Sequence, residues 1–272
     1  MAPLADASPP LRPAGSNPLA ACLQTARHSS YLGPGPDGLA CLLQPDRAPT
    51  AEEAHVHAVL VDKVLGASFP CVAARSVFNR AGYRFGLYDR LGSRTAASAV
   101  CHDLYAFSHE FHELGDRFAT FVAVFRAPLV HTELQFEQLL WRQLQRMHDV
   151  DARFFGWNAT VSSDPRSAEF SFSIGERAFF PIGMNPCASR HARTAPWSMI
   201  AFNLHEQFER LRARGKYEPL KAAIRARDLA LQGSLNPVLA NFGDTSETRQ
   251  YSGRAVADSW RCPFHARAGG RP

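Results

Sequence analysis

The chain has 272 residues, 46% of them hydrophobic and 20% charged, which is enough to bury a large core without disulfide or metal staples and too balanced for a disordered or coiled-coil protein. Thirty Lys and Arg against 25 Asp and Glu leave a formal charge of +5, compatible with anionic ligands and too small to specify a nucleic-acid partner, so none is expected. The longest apolar run, Thr120 to Val130, is broken by Arg126 and is far shorter than the ~20 residues that span a bilayer. No basic start followed by an apolar stretch marks a secretory signal, so a cytoplasmic location without a membrane partner is expected. The six cysteines, Cys22, Cys41, Cys71, Cys101, Cys187 and Cys262, form no C-x-x-C pair, which argues against a zinc ribbon or a disulfide framework.

Nine of the 19 prolines lie in the first 50 residues, where Phe, Trp, Val and Ile are absent. Residues 1–49 therefore read as an irregular Pro-rich arm that supplies little core. The arm contains one formal G-x-G-x-x-G, Gly33, Gly35 and Gly38. Pro34 and Pro36 remove the N–H groups a phosphate needs, and no strand precedes the motif, so dinucleotide binding is rejected. Thr50 and Glu53 form a T-x-x-E capping box ahead of Val56, Val59, Leu60 and Val64, which predicts a helix ending at Gly66. Phe69–Asn79 and Tyr83–Tyr88 carry the β-branched and aromatic content of strands, and the short turn from Arg80 to Gly82 suggests a hairpin. A helix from Thr95 with the stripe Leu104, Phe107, Phe111 and Leu114 gives way at Gly115 to a strand over Ala119–Phe125.

Thr132 and Gln135 make a second capping box, opening the helix of Leu139, Leu140 and Leu144. Strands are predicted at Phe154–Val161, Glu169–Ile174 and Arg177–Met184, the last two joined by Gly175 and Glu176, a pair suited to a type II′ turn. Ser198–Leu204 reads as a strand feeding a helix from His205 to Gly215, and a further helix runs from Pro219 to Leu231. This order predicts an α+β fold: a mixed, largely antiparallel sheet with helices packed on it, in one domain over 50–265, with a disordered tail at 266–272.

Eleven histidines raise the question of a metal or haem. His102, His109 and His112 share one side of a helix, but no carboxylate completes a tight spacing on that face, and a solvated or partner-facing stripe explains them better than a metal face does. Glu52 and His55 give a single E-x-x-H, where a di-iron bundle needs two. His131, Thr132 and Glu133 imitate the start of a facial triad, but Thr132 is better explained as a helix cap. His205 stands at a strand-to-helix junction, where a side chain is placed accurately beside a cleft. Cys187 is its rival, because Phe180, Gly183 and Cys187 reproduce F-x-x-G-x-x-x-C, reminiscent of a cytochrome P450 thiolate loop. Arg190, Arg193, Arg249 and Arg254 offer guanidinium forks for carboxylates, and Asp244 and Glu247 beside them could accept a cation or serve as salt-bridge partners.

The segments FFPIGMNPCASRHAR, FNLHEQFERLRARGKYEPLKAAIRARD, QGSLNPVLANFG and SETRQYSGRAVADSWRCPF, in that order, resemble the successive blocks of the YqcI/YcgG family, which includes haem-dependent guanidino N-hydroxylases. Within it, the pattern is similar to members acting in D-cycloserine-type antibiotic biosynthesis. The resemblance spans Phe69 to Phe264 and implies a haem b monooxygenase that converts L-arginine to N-omega-hydroxy-L-arginine. Dioxygen supplied through a separate reductase, or hydrogen peroxide, would be the oxidant, and a homodimer is one assembly it allows. The alternatives it leaves are another guanidino amino acid as substrate, or a haem-binding or haem-sensing protein without turnover.

Residue by residue, the F-N-x-H-x-Q-F-E block implies His205 as iron ligand with Phe208 against the cofactor, and Cys187 remains the alternative ligand. The S-R-x-A-R block places Ser189, Arg190 and Arg193 on the propionates. Arg249, Tyr251 and Arg254 fall on substrate contacts, and Glu247 or Asp244 is the acid that orients the guanidinium or takes its proton. One departure stands out: many relatives read G-L-H-P where this chain has Gly183, Met184, Asn185 and Pro186.

Overall fold

The computed structural model describes residues 17–36, 38–113, 118–236 and 241–267, with only the backbone of His112 and Glu113. Seven strands, β1 (Leu32–Gly35), β2 (Gly38–Cys41), β3 (Tyr83–Arg90), β4 (Thr120–Ala127), β5 (Phe172–Ile174), β6 (Arg177–Met184) and β7 (Ser198–Leu204), form one sheet in the order β2-β1-β3-β4-β7-β6-β5. Only β3 and β4 pair in parallel, through the crossover helix α4 (Arg94–Glu113). The other neighbours run antiparallel, so the architecture is the expected α+β sheet. The remaining helices are α1 (Leu23–Ala26), α2 (Ala51–Leu65), α3 (Val72–Asn79), α5 (Glu133–Asp151), α6 (His205–Ala213), α7 (Tyr217–Gln232) and α8 (Thr248–Tyr251). No helix among the described residues is long and apolar enough to cross a membrane.

Side chains alternate across the sheet because successive strand residues point to opposite faces. Along β4, Phe121, Ala123 and Phe125 enter a core shared with α4 and α5, while Val122 and Val124 join a second core under α2 and α3. Along β7, Ile200, Phe202 and Leu204 take the first face, Met199 and Ala201 the second. Gly183 on β6 sits where a Cβ would lie only 2.6 Å from Leu140, 2.7 Å from Phe136 and 2.8 Å from the Tyr251 carbonyl. Its missing side chain lets α5 and α8 close on the sheet.

Several local expectations are corrected. Phe69–Asn79 is not a strand: Cys71 caps α3, its Sγ accepting the Ala74 N–H at 3.5 Å. Val77 and Phe78 follow Ala73 and Ala74 by one turn, and that spacing outweighs their β propensity. Phe154–Val161 is a run of turns, with the Asn158 amide donating to the Glu176 carbonyl at 2.7 Å and its Oδ1 accepting the Thr160 N–H at 2.9 Å, local bonds that compete with a ladder.

Gly33, Gly35 and Gly38 lie inside the β1–β2 hairpin, and Tyr31, Leu32 and Cys41 are buried there, so the N-terminal segment does contribute core. Gly175 and Glu176 both adopt positive φ, 62° and 58°, which is a type I′ turn instead of type II′. The Thr50–Glu53 box is complete. At α5 the Thr132 hydroxyl accepts the Gln135 N–H at 3.1 Å, but Gln135 Oε1 reaches back to His131 at 2.8 Å, one residue further than a regular box.

Candidate active-site cavity

Between the second face of the sheet and helices α2, α3 and α7 lies a cavity of about 340 Å³, within the size range of small-molecule and cofactor sites. Its floor is Val122 from β4, Phe180, Ile182 and Met184 from β6, and Ala201 and Asn203 from β7; Leu60, Val64, Val77, Phe78 and Ile224 close it from the helices. The strand alternation that fills the opposite face with phenylalanine here presents a mixed set, from Ala201 and Val122 to Phe180 and Met184, to a space left open. Native cores leave few voids larger than a water molecule.

A small set of polar groups enters this apolar wall. His205 is the first residue of α6, where β7 turns directly into helix, and it is buried with 7% of its surface exposed. Its Nε2 lies 3.1 Å from Glu209 Oε1, one helical turn on, and Phe242 sits edge-on to the ring at 4.4 Å. Burial holds its pKa below the ordinary histidine value, against the pull of Glu209, which favours the neutral imidazole.

Arg193 is the last residue of a short 3₁₀ segment, His191–Arg193. Its Nη1 donates to the Gly183 carbonyl at 3.0 Å and its Nη2 to the Gln250 carbonyl at 3.1 Å. No carboxylate among the described residues pairs with it, and burial lowers its pKa to about 10. Arg190, also in the wall, is held by Asp228 Oδ2 at 2.5 Å and by Ser234. Glu247, 3% exposed, accepts a short hydrogen bond from the Tyr251 hydroxyl, and burial raises its pKa to about 8, so the carboxyl is neutral at pH 7.

The structure thus brings His205, Phe208, Arg190, Arg193 and Glu247 to one cavity. It does not bring the rest of the expected set there. Ser189 is exposed and bonded to Glu133, and Asp244 is exposed and bonded to Asn241. Arg249 is tied to the Val256 and Ala257 carbonyls and to Asp258. Arg254 pairs with Glu137 at 2.8 Å, and Tyr251 is fully enclosed behind the Glu247 and Phe180 of the wall. Cys187 is outside the wall too, its Sγ directed to the Val130 carbonyl at 3.2 Å. Asn185, at the departure from G-L-H-P, is 1% exposed and supports the turn by accepting the Cys187 N–H.

The histidine face does not assemble. His102 Nδ1 is 2.7 Å from Asp103, His109 is exposed, and the His112 side chain lies outside the described residues. His131 is likewise exposed, and Glu52 pairs with Arg126. Among the described residues no three His, Cys, Asp or Glu side chains are grouped as a metal site. A haem needs only one axial side chain, so His205 does not depend on such a group. The sequence reading missed Asp228, Glu209 and Cys71. Asp228 looked like one more charge on a solvated helix, and the partner that buries it, Arg190, is 38 residues away in the chain.

No curated protein and no solved structure matches the chain. The sequence profile of the YqcI/YcgG family matches residues 60–265, a span that includes α3, the whole cavity floor, His205, Arg190, Arg193 and Glu247, and on that match the chain belongs to the YqcI/YcgG family.

Proposed function

We propose that the protein is a haem b-dependent monooxygenase that hydroxylates a terminal guanidino nitrogen of L-arginine, the step implied for D-cycloserine-type antibiotic biosynthesis. The observation that carries this reading is the donor set of one apolar cavity: a neutral imidazole backed by a carboxylate, a cation with no carboxylate partner among the described residues, and a carboxyl kept protonated. These residues fit a haem. One His205 nitrogen would ligate the iron while the other stays on Glu209, an arrangement that fixes the ring and raises its basicity. Arg193 would supply charge for a propionate, and Phe180 and Phe208 would offer rings to the cofactor.

When bound, the haem supplies the oxygen activation, with electrons from a separate reductase or with hydrogen peroxide as the oxidant. The chain's own residues do the positioning. The entering guanidinium is a fork of N–H donors that stays protonated at neutral pH. It favours the ionised form of Glu247, so substrate binding below the Glu247 pKa of about 8 releases a proton to solvent. The Tyr251 hydroxyl donates to Oε1 and the Ser171 side chain also bonds the carboxyl, so the substrate takes the lone pairs that these two leave.

The test is haemin reconstitution of the full chain, with the Soret band followed during L-arginine addition and the product weighed for one added oxygen atom. Glu247→Gln should keep the haem spectrum and lose the arginine-induced shift. Failure to take up haem specifically rejects the reading; a shift with another guanidino compound and none with arginine reassigns the substrate.

A further inference from the structure

A chain of aromatic side chains leads from the cavity wall to the surface. Phe180, in the floor, meets Tyr251 edge-on with centroids 5.6 Å apart. Tyr251 stacks on Trp141 at 5.6 Å and 24°, and Trp141 meets Trp260 at 6.2 Å. Tyr251 and Trp141 are buried, 0% and 3% exposed, while Trp260 is half-buried at the protein surface. Core packing accounts for the stacking and leaves the polar ends unaddressed. The Tyr251 hydroxyl donates to Glu247, and the Trp260 indole N–H donates to Glu137 Oε1 at 3.2 Å. Between them Trp141 Nε1 is buried with no partner among the described residues. Once Glu247 is ionised, above its pKa of about 8, both ends hold a carboxylate that can take a proton when the ring loses an electron, and the middle ring does not. Charge passes through Trp141 and comes to rest at an end.

We propose that Tyr251, Trp141 and Trp260 form a relay that carries single oxidising equivalents from the cavity to the surface when no guanidino substrate is bound. The inference rests on the haem reading above. Phenol and indole yield electrons only to strong oxidants, so the relay discharges the site and does not feed it from a reductase. The oxidant is hydrogen peroxide, which takes up two electrons and two protons at the haem and leaves as two waters. For each electron, Tyr251 is oxidised and passes its phenolic proton to the Glu247 carboxylate. Trp141 returns an electron to Tyr251, which recovers that proton, and Trp260 refills Trp141 while its indole proton moves to Glu137. A surface reductant of the ascorbate class then gives Trp260 an electron, the proton returns from Glu137, and the oxidised reductant releases its own proton to solvent. Two such transfers balance one peroxide.

The experiment uses the haem-reconstituted full chain at a pH above about 8, where Glu247 is ionised, with hydrogen peroxide and no guanidino compound. The Soret band is recorded first, then freeze-quenched electron paramagnetic resonance and peptide mass mapping. The expected result is an organic radical and oxygen adducts on Trp260, with loss of those adducts in Trp141→Phe while the Tyr251 radical persists. Equal Trp260 oxidation in Trp141→Phe marks direct attack from solvent and overturns the relay. A normal Soret band with neither radical nor Trp260 adduct overturns the relay alone, whereas no Soret band overturns the haem reading and the relay with it. Should Trp141→Phe fail to fold, Trp260→Phe is expected to lengthen the lifetime of the buried radical, and an unchanged lifetime is equally fatal.

Discussion

On the α4–α5 side of the sheet, Phe107, Phe111, Phe121, Phe136, Phe179 and Phe202 are fully enclosed, and the buried Asp103 accepts from Ser29, Ser30 and Tyr88 and contacts His102. On the α2–α3–α7 side, the same strands offer Ile182, Ala201 and Asn203 to a cavity of about 340 Å³, where Arg193 has no carboxylate partner among the described residues and Glu247 is held neutral at pH 7. One face spends its residues on density, which is how a core becomes rigid even with the indole N–H groups of Trp141 and Trp157 left without partners among the described residues. The other leaves space and perturbed groups, the pattern of a binding or catalytic site. Because both faces share a backbone, the packed side fixes the positions from which the open side projects its groups.

The comparison is broken most severely by a matched pair of deletions on neighbouring strands. Ile200 is fully buried on the packed face, and Ile182, in register with Ala201, lines the cavity. Ile200→Ala is expected to cost about 2–5 kcal/mol, because a close-packed site relaxes little around the void. Ile182→Ala enlarges a space that already exists and should cost clearly less. Urea denaturation of the two variants checks this, and equal losses would mean that the open face is packed as tightly as the other.

Acidity separates the faces next. Burial raises Glu247 from an ordinary value of 4.5 to about 8, and raises Asp151, under the packed side, from 3.8 to about 7. In each case the folded chain keeps a proton that the unfolded chain has lost, so stability falls as pH rises through these windows and levels off above them. Glu247→Gln should remove the part of the decline nearest pH 8, and Asp151→Asn the part that ends near pH 7. Melting temperature against pH reads both as differences from the wild type, because His57, His148 and His205, held below their ordinary value by burial, add stability as pH rises over the same range; a variant whose profile runs parallel to the wild type contradicts its assignment.

How much of this was legible in the sequence depends on the range of the interaction. The Thr50–Glu53 box, the α4 stripe and the strand-to-helix step at His205 are local, and periodicity identifies them. Phe69–Asn79 misled because β-branched content was weighed above the four-residue spacing of Ala73, Ala74, Val77 and Phe78. The family blocks pointed to His205, Arg190, Arg193 and Glu247, all of which meet in the cavity. Arg254, Arg249 and Ser189 belong to the same blocks yet turn outward or into other pairs. Adjacency in sequence says nothing about which side of a loop a guanidinium takes, and the Glu137 that captures Arg254 is 117 residues away.

A smaller effect comes from adding atoms instead of removing them. Ala123 is fully buried on the packed face of β4, and Ala201, on the neighbouring β7, faces the cavity. Ala123→Val should cost about 1–3 kcal/mol through overpacking, while Ala201→Val finds space and should leave the denaturation midpoint almost unmoved. The cavity variant should instead weaken haem uptake, a loss that the packed-face variant shows only to the extent that it unfolds.

The least change in stability is expected at Arg193, and there the sign matters more than the size. A half-buried charge held by backbone carbonyls, with no carboxylate paired to it among the described residues, is costly to keep, which is why its pKa is pulled down to about 10. Replacing it with an apolar side chain of similar length removes that desolvation penalty and leaves the carbonyls of Gly183 and Gln250 short of a donor. The two consequences oppose each other, as they do when buried ion pairs are exchanged for hydrophobic residues. Arg193→Met should therefore unfold within about 1 kcal/mol of the wild type, yet bind haem far more weakly if the guanidinium is there for a propionate. A variant that is strongly destabilised but takes up haem normally would make Arg193 a strut of the β6–α8 junction, and the cation of the cavity would have to be sought at Arg190.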